Sequence, residues 1–343
     1  MKTNDYHSHS RRKTPWDSFE ENELSDLQLF IKQEYKSHYY EHHPSLVNEN
    51  EASFLNSYIP SCCKCCGSVN FKKNGFNSYL IQTYYCKDCN RKFTILTNTI
   101  FNDHKISLSE WIEFLLNLFG YSSINLNSKT NKNSPTTSKY WLVKVFLVLK
   151  DYQDSIILKG KTYIDETYFS VEAKDTKYKN DGKKYKGLSR NKICIASAKD
   201  SDNIYLKVTG KGKISSKKTL DAYGPHIKEG STIIHDDEKA HNILIETYNL
   251  KSISYNSNDL KKLKDKDNPL YLINRVHYLF KQFLYSHPGF NRDELQDYAN
   301  LFVFMNNTNG NKLNKVEAFI ELALKSNTQR LKYRDYYAKK HDK

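Results

Sequence analysis

Six of the seven cysteines lie between positions 62 and 89, and their spacing is typical of a metal site. Cys63 and Cys66 form one Cys-x-x-Cys pair, and Cys86 and Cys89 form a second pair about twenty residues later. Such paired thiolates usually hold zinc in a closed tetrahedral site with no open position for chemistry. In a reducing compartment, this clustering favours metal over disulfides. The spacing predicts one structural zinc ion.

The cysteines also allow a competing pair, Cys62 and Cys65. Gly67 follows Cys66 and Asn90 follows Cys89, and both residue types tolerate the left-handed backbone that wraps a metal. This favours the register that begins at Cys63. Redox-active or merely buried thiols are the alternative to zinc. The isolated Cys194 is expected to be a buried free thiol.

Two aspartates form a second candidate site. Asp165 lies inside an apolar, strand-like run, where an acidic residue is locally unfavourable, and Asp236 follows another such run. If the two strands are neighbours, the carboxylates repel each other unless a cation joins them, and such hard oxygen ligands suit Mg²⁺ or Mn²⁺. A metal-bound carboxylate pair is typical of phosphoryl transfer. Taken alone, Asp236 is equally a turn former or a helix cap.

A predicted helix from about residue 269 to 285 offers a third ligand. Asn274, His277, Tyr278 and Lys281 follow a helical repeat and so share one face, opposite an apolar face. We expect the amide oxygen of Asn274 to bind metal and Lys281 to bind a DNA phosphate.

The elements that must position these residues follow from the hydrophobic pattern. Three strand-like runs are followed by a helix, a fourth strand, a helix, a fifth strand and the helix that carries Asn274. This is the order of an RNase H-like α/β fold. The predicted strands are 161–171, 192–198, 204–209, 231–235 and 251–255, and the first two helices are 215–227 and 238–248.

The remainder of the chain suggests a multidomain α+β protein with smaller N-terminal modules. Apolar residues from Leu24 to Tyr35 predict a helix, and the cysteine region suggests strands at 77–85 and 91–96. Two further helices are predicted at Ser107–Phe119 and Ser134–Leu149, with a short helix between them. We predict an arm with a helix (1–55), a zinc ribbon (56–101), a helix-turn-helix-like DNA-binding segment (102–155), a catalytic domain (160–309) and a tail with a helix and basic residues (310–343).

The charge balance points to a polyanionic partner. The chain has 343 residues, 53 of them Lys or Arg and 39 Asp or Glu, a formal net charge of +14. Nucleic acid leads among such partners. The longest apolar run, 141–149, is short and interrupted by Lys144, so it cannot span a bilayer, and the polar start lacks a signal-peptide core. We therefore expect an intracellular DNA-binding protein.

These motifs together resemble the ISXO2-like insertion-sequence transposases, a zinc-ribbon group of the DDE-type superfamily. The resemblance covers about residues 58 to 307. Its marks are the two cysteine pairs, the run from Asp165 to Tyr168, the run from His235 to His241, Asn274 with Lys281, and the closing segments 285–292 and 298–306.

The resemblance implies that Asp165, Asp236 and Asn274 occupy the three metal positions and Lys281 the basic position that follows. It implies hydrolysis at the element ends followed by attack of the freed 3′-hydroxyls on target DNA, with no nucleotide cofactor. The implied partners are the terminal inverted repeats, target DNA and further copies of the chain. The implied location is the bacterial cytoplasm, at the nucleoid.

Other functions remain open on the sequence. A transposase-derived DNA-binding regulator without activity is the main alternative, since Asn274 stands where many DDE-type enzymes have Glu. A metal-dependent nuclease without joining activity would use the same site. A zinc-ribbon RNA-binding or transcription factor would account for residues 56–101 but not for the later domain.

Overall fold

The computed structural model describes residues 48–102, 108–131 and 133–325. The predicted arm helix between Leu24 and Tyr35 and the capping residue Ser107 lie outside these described residues. The chain divides into two units, one formed by residues 1–144 and 316–343 and the other by residues 145–315. Among the described helices, none is both long and apolar enough to cross a membrane.

The described residues contain eight strands and ten α-helices. The strands are β1 (Phe71–Phe76), β2 (Gln82–Cys86), β3 (Lys92–Phe93), β4 (Lys161–Ser170), β5 (Lys192–Lys199), β6 (Ile204–Lys211), β7 (Thr232–Asp236) and β8 (Lys251–Tyr255). The helices are α1 (Asn48–Ser57), α2 (Leu108–Phe119), α3 (Ile124–Thr130), α4 (Pro135–Leu149), α5 (Ser216–Tyr223), α6 (Asn242–Thr247), α7 (Ser257–Leu260), α8 (Tyr271–Tyr285), α9 (Leu295–Asn307) and α10 (Lys312–Lys325).

In the first unit, β1, β2 and β3 form an antiparallel sheet that carries the cysteines. The sequence predicted one strand from Asn77 to Tyr85, but residues 77–81 turn instead. The Asn77 side chain accepts hydrogen bonds from the backbone N–H groups of Tyr79 and Ile81, so it closes the turn that an Asx residue favours. The strand β1, which the sequence analysis missed, precedes this turn.

The three predicted helices between the cysteine region and the catalytic domain are present as α2, α3 and α4. The Ser134 hydroxyl accepts a hydrogen bond from the Thr137 N–H, as its predicted capping role requires, and Pro135 begins the helix. The stacked rings of Trp111 and Trp141, 4.6 Å apart, join α2 to α4. Most of α4 is buried, whereas Pro135, Thr136 and Thr137 of its first turn are at least partly accessible.

The second unit contains a mixed five-stranded sheet in the order β6-β5-β4-β7-β8. The first three strands form an antiparallel meander, and β7 and β8 run parallel to β4. This confirms the predicted order of elements. All five predicted strands are within two residues of their observed bounds at either end.

Helices α8 and α9 cover the antiparallel half of the sheet. The Phe280 ring of α8 packs edge-on against Phe169 of β4, with 5.8 Å between ring centres. Gln296 of α9 accepts a hydrogen bond from the Val208 N–H on β6. Two predicted helices are shorter than expected, because a 3-10 turn ends α5 at Gly224–His226 and another precedes α6 at Lys239–His241.

Candidate active site and zinc cluster

The parallel pairing of β4 with β7 brings the two predicted aspartates to one place. Tyr163 is paired with Ile234, so the same register two residues later sets Asp165 level with Asp236. Residues level with each other on parallel strands point to the same face of the sheet. Asp236 is the last residue of β7, one position closer to the strand than the sequence suggested.

Both aspartates resist ionisation in the folded chain. Burial is the largest cause that raises the pKa of Asp165, to about 7, and the charges of Glu166 and Asp236 raise it further. A hydrogen bond from the Glu166 N–H to Asp165 Oδ1, at 2.8 Å, opposes this shift. Burial also raises the pKa of Asp236. Two crowded carboxylates of this kind fit a hard divalent cation, which would offset their repulsion.

The helix α8 presents His277 to this pair. His277 Nδ1 lies 3.8 Å from Asp165 Oδ2, whereas Asn274, one turn earlier, is exposed and Lys281, one turn later, is partly exposed. The sequence grouped His277 with the polar face of the helix, but the structure buries it. Its Nε2 is buried without a hydrogen-bond partner among the described residues. Burial, assisted by the charge of Lys281, lowers the pKa of His277 to about 3, so its ring is neutral.

A buried polar network lies behind the aspartates. The Glu166 carboxylate accepts hydrogen bonds from Tyr223 Oη, at 2.9 Å, and from His241 Nε2, at 3.2 Å. The Nδ1 atoms of His241 and His235 are 3.1 Å apart, and His235 Nε2 lies 2.9 Å from the hydroxyl of Ser252. This chain of contacts joins β4 to β7 and to the edge strand β8, so it holds the backbone on both sides of the aspartates.

The two network histidines have opposite electrostatic environments. Burial lowers the pKa of His235 to about 4, and the charge of His241 lowers it further. Burial also opposes charge on His241, but the hydrogen bond and charge of Glu166 outweigh it and raise the pKa. The sequence predicted no role for these two histidines. Their only signal is that they begin and end the run from His235 to His241, which contains Asp236.

A polar surface pocket opens beside Asp236. Its lining includes two cationic side chains, and one of them, Lys213, pairs with Glu238 at 2.7 Å. The other lysine and the acidic neighbours give the pocket mixed charge. The lining residues are Lys213, Asp236, Asp237, Glu238, Lys239 and Ser257.

The sulfurs of Cys63, Cys66, Cys86 and Cys89 converge in the first unit. Cys63 Sγ lies 3.7 Å from Cys89 Sγ, and Cys66 Sγ lies 3.6 Å from Cys86 Sγ. Four thiolates around a tetrahedral zinc with bonds of about 2.3 Å would be about 3.8 Å apart, so the cluster fits zinc.

The backbone around the cluster agrees with the register that begins at Cys63. Gly67 and Asn90 have φ angles of +79° and +54°, the left-handed conformation expected after each cysteine pair. The stacked rings of Tyr84 and Phe93, 5.4 Å apart, cover the cluster. Cys194 is buried in the second unit, as predicted.

No curated protein matches this chain in sequence. Among solved structures, the magnesium complex of the HTLV-2 integrase catalytic core is 15% identical, over 45% of this chain and 90% of that one, with a TM-score of 0.28. The catalytic domain of Mos1 mariner transposase is 9% identical, over 56% of this chain and 93% of that one, with a TM-score of 0.30.

A chain of the simian T-cell lymphotropic virus intasome is 11% identical over 43% of this chain, with a TM-score of 0.28, and this chain spans about half of its length (48%). The model of the ISXO2-like transposase domain matches residues 157–307, a range that contains both aspartates, Asn274 and Lys281. This match confirms the predicted resemblance to the ISXO2-like transposases over residues 157–307.

Proposed function

We propose that this protein is a DNA transposase that cleaves the ends of a mobile element and joins them to target DNA. The observation that carries the proposal is the register of β4 with β7, which sets Asp165 level with Asp236 inside the family domain. Hydrolysis of a phosphodiester at each end would free a 3′-hydroxyl. Attack of that hydroxyl on a target phosphodiester would exchange one phosphodiester bond for another.

Asp165, Asp236 and the amide oxygen of Asn274 are the proposed ligands of Mg²⁺ or Mn²⁺. When bound, such ions supply the positive charge that activates an attacking oxygen and stabilises a leaving oxygen. The raised pKa of Asp165, to about 7, supports this assignment, because a carboxylate that resists ionisation beside a second one is stabilised in its charged form by a bound cation. Asn274 is exposed and neutral, so its contribution to metal affinity is expected to be the smallest.

Two further residues of α8 serve this site in the proposal. Lys281 binds a phosphate of the DNA through its partly exposed ammonium group. His277 is a positioning residue, because its buried neutral ring lies against Asp165 Oδ2 and limits the positions that this carboxylate can take.

The N-terminal unit supplies DNA binding in the proposal. Zinc held by Cys63, Cys66, Cys86 and Cys89 would stabilise the small sheet β1–β3, which has little core of its own. The start of α4 is the candidate for the DNA groove, since recognition helices read bases near their N-terminal ends. Of its candidate residues, Thr136, Thr137 and Lys139 are partly accessible, whereas Ser138 is buried.

A cleavage assay tests the proposal directly. Purified protein is incubated with a labelled terminal-repeat duplex, a target plasmid and either Mg²⁺ or Mn²⁺. We expect cleaved and joined products from the wild type, none from Asp165→Ala or Asp236→Ala, and a milder loss from Asn274→Ala. The matched control is Asp221→Ala, an exposed aspartate on α5 of the same unit, which should behave as the wild type.

The products separate the alternatives. Cleavage without joined product would indicate a nuclease. Specific binding of the ends with no cleavage in either metal would indicate a transposase-derived regulator, a possibility that the neutral, exposed Asn274 favours. Cleavage that persists in Asp165→Ala, or in the presence of a chelator, would exclude the proposed active site.

A further inference from the structure

The connection between β4 and β5 is long and strongly basic. Residues 171–191, here called the basic tongue, carry seven basic side chains against three acidic ones. The basic residues are Lys174, Lys177, Lys179, Lys183, Lys184, Lys186 and Arg190, and the acidic ones are Glu172, Asp175 and Asp181. A simple hairpin would join the same two antiparallel strands with a few residues, so this length and charge call for an explanation.

The basic tongue has a defined backbone. The buried side chain of Asn191 accepts a hydrogen bond from the Lys177 N–H, at 2.7 Å, and donates one to the Lys177 carbonyl, at 2.8 Å. Nearer the tip, Tyr178 and Lys184 form a β-bridge, and the Lys179 N–H donates to the Lys183 carbonyl at 2.8 Å. These contacts fix the backbone that carries the lysines, so less conformational entropy is lost on binding a partner than with a flexible loop.

The acidic residues of the basic tongue leave much of its positive charge available. Glu172 accepts a hydrogen bond from the Arg292 N–H and pairs with Lys174, and Asp181 pairs with Lys183. Lys179, Lys184 and Lys186 are exposed and, within the described parts of the chain, have no ion-pair partner. Tyr178 is also exposed, so an aromatic ring lies among these cations.

The basic tongue begins just beyond the carboxyl end of β4, the strand that carries Asp165. Asp236 is the last residue of β7, whereas Asp165 lies in the middle of β4, which continues to Ser170 before the tongue begins. Five residues of strand span roughly 17 Å. Each nucleotide of one DNA strand advances about 3.4 Å along the duplex axis. For a duplex whose axis runs parallel to β4, the base of the tongue therefore lies about five base pairs from a phosphodiester held at Asp165.

We propose that the basic tongue is a DNA-binding surface that holds the duplex backbone on one side of the phosphodiester being cut. The inference rests on the proposed function, because it takes Asp165 and Asp236 as the cleavage site. Exposed lysines on a fixed frame contact phosphates without reading bases, and each contact releases condensed counterions from the DNA. The tongue thus adds affinity and positions the duplex, whereas sequence recognition belongs to other parts of the chain.

The test compares two triple variants of the full chain. The first, Lys179→Gln with Lys184→Gln and Lys186→Gln, removes exposed charge from the basic tongue. The second, Lys159→Gln with Lys161→Gln and Lys228→Gln, removes the same charge from exposed positions near the amino ends of β4 and β7, at the opposite edge of the sheet. Thermal unfolding followed by circular dichroism checks that both variants are folded.

Fluorescence anisotropy measures the affinity of each protein for a labelled duplex over a range of KCl concentrations. Each lost phosphate contact lowers the slope of log affinity against log salt by about 0.9, so we expect the tongue variant to be less steep by about 2 to 3. Its affinity at ~0.1 M salt should fall on the order of tenfold. The opposite-edge variant should keep the slope of the wild type.

Cleavage kinetics give a second readout. The tongue variant should need more DNA to reach half its maximal rate, while its rate at saturating DNA stays near that of the wild type. An unchanged slope, or an equal loss in both variants, would overturn the DNA-binding role of the tongue. If either of these results is found while the wild type binds and cuts DNA, the DNA-binding role of the tongue fails and the proposed function stands. If the wild type neither binds nor cuts DNA, the proposed function fails with it.

Discussion

At the residue scale, the side chain that α8 places against Asp165 is a histidine. His277 is neutral and buried, and its Nε2 has no hydrogen-bond partner among the described residues. A buried polar atom without a partner is costly, so its retention beside a carboxylate needs a reason. If Asp165 binds metal as proposed, the contact of His277 Nδ1 with Asp165 Oδ2, at 3.8 Å, supplies one, because residues that orient such a carboxylate affect metal affinity and activity.

Substitution of His277 tests this role. His277→Phe removes both ring nitrogens with a similar ring size, and we expect cleavage to fall by about 10- to 100-fold and to require more Mn²⁺. His277→Gln keeps an N–H donor and should restore part of the activity. The measurement is the cleavage rate as a function of Mn²⁺ concentration, with thermal unfolding as a control. A Phe variant with the metal dependence of the wild type would show that His277 only fills space.

At the element scale, the small sheet β1–β3 depends on its cysteines. The core around it is limited to a few side chains, among them Tyr84 and Phe93. Such a sheet buries too little apolar surface to be stable alone, and zinc binding commonly provides the missing free energy. The four sulfurs already lie at spacings that fit a tetrahedral ion.

We expect one zinc ion per chain, measured by elemental analysis. Cys86→Ser together with Cys89→Ser should abolish zinc binding, and the amides of β1, β2 and β3 should then exchange with solvent faster. Cys62→Ser is the matched control, because Cys62 lies next to the cluster but outside it. It should retain zinc. Equal zinc loss in the Cys62 variant, or zinc retained without Cys86 and Cys89, would contradict the assignment.

At the scale of the whole molecule, the candidate active site lowers the stability of the metal-free fold at neutral and higher pH. Burial and the neighbouring charges raise the pKa of Asp165 from 3.8 to about 7. Between these values the folded protein binds a proton that the unfolded chain has lost. The contribution of Asp165 to the free energy of unfolding is therefore fully present below about pH 4 and is lost as the pH rises through 7.

Asp165→Asn should accordingly stabilise the metal-free protein at pH 8 and have little effect near pH 4. A gain of about 1 kcal/mol would raise the melting temperature by about 2 to 4 °C. Mg²⁺ should raise the melting temperature of the wild type more than that of Asp165→Asn. Differential scanning calorimetry at both pH values measures these shifts, with Asp221→Asn as the exposed control. A variant less stable than the wild type at pH 8 would refute this electrostatic account.

Much of this protein could be predicted from local pattern. The strands β4 to β8 follow from alternating or continuous apolar runs, the cluster of four cysteines follows from their spacing, and Gly67 and Asn90 fix its register through their tolerance of positive φ. The turn at Asn77 was missed because its side-chain hydrogen bonds compete locally with strand pairing. Each of these features depends on residues that are close together along the chain.

The sequence by itself determined which residue types are available for chemistry, and the tertiary structure decided which of them meet. Asp165 lies level with Asp236 because of the register between β4 and β7. Glu166 contacts His241 because segments that are far apart in sequence pack together. Helical periodicity grouped His277 with the exposed residues of α8, but the position of the helix against β4 buries it. Burial and charge proximity are properties of the folded chain, which is why the pKa shifts of this site could not be derived from the order of its residues.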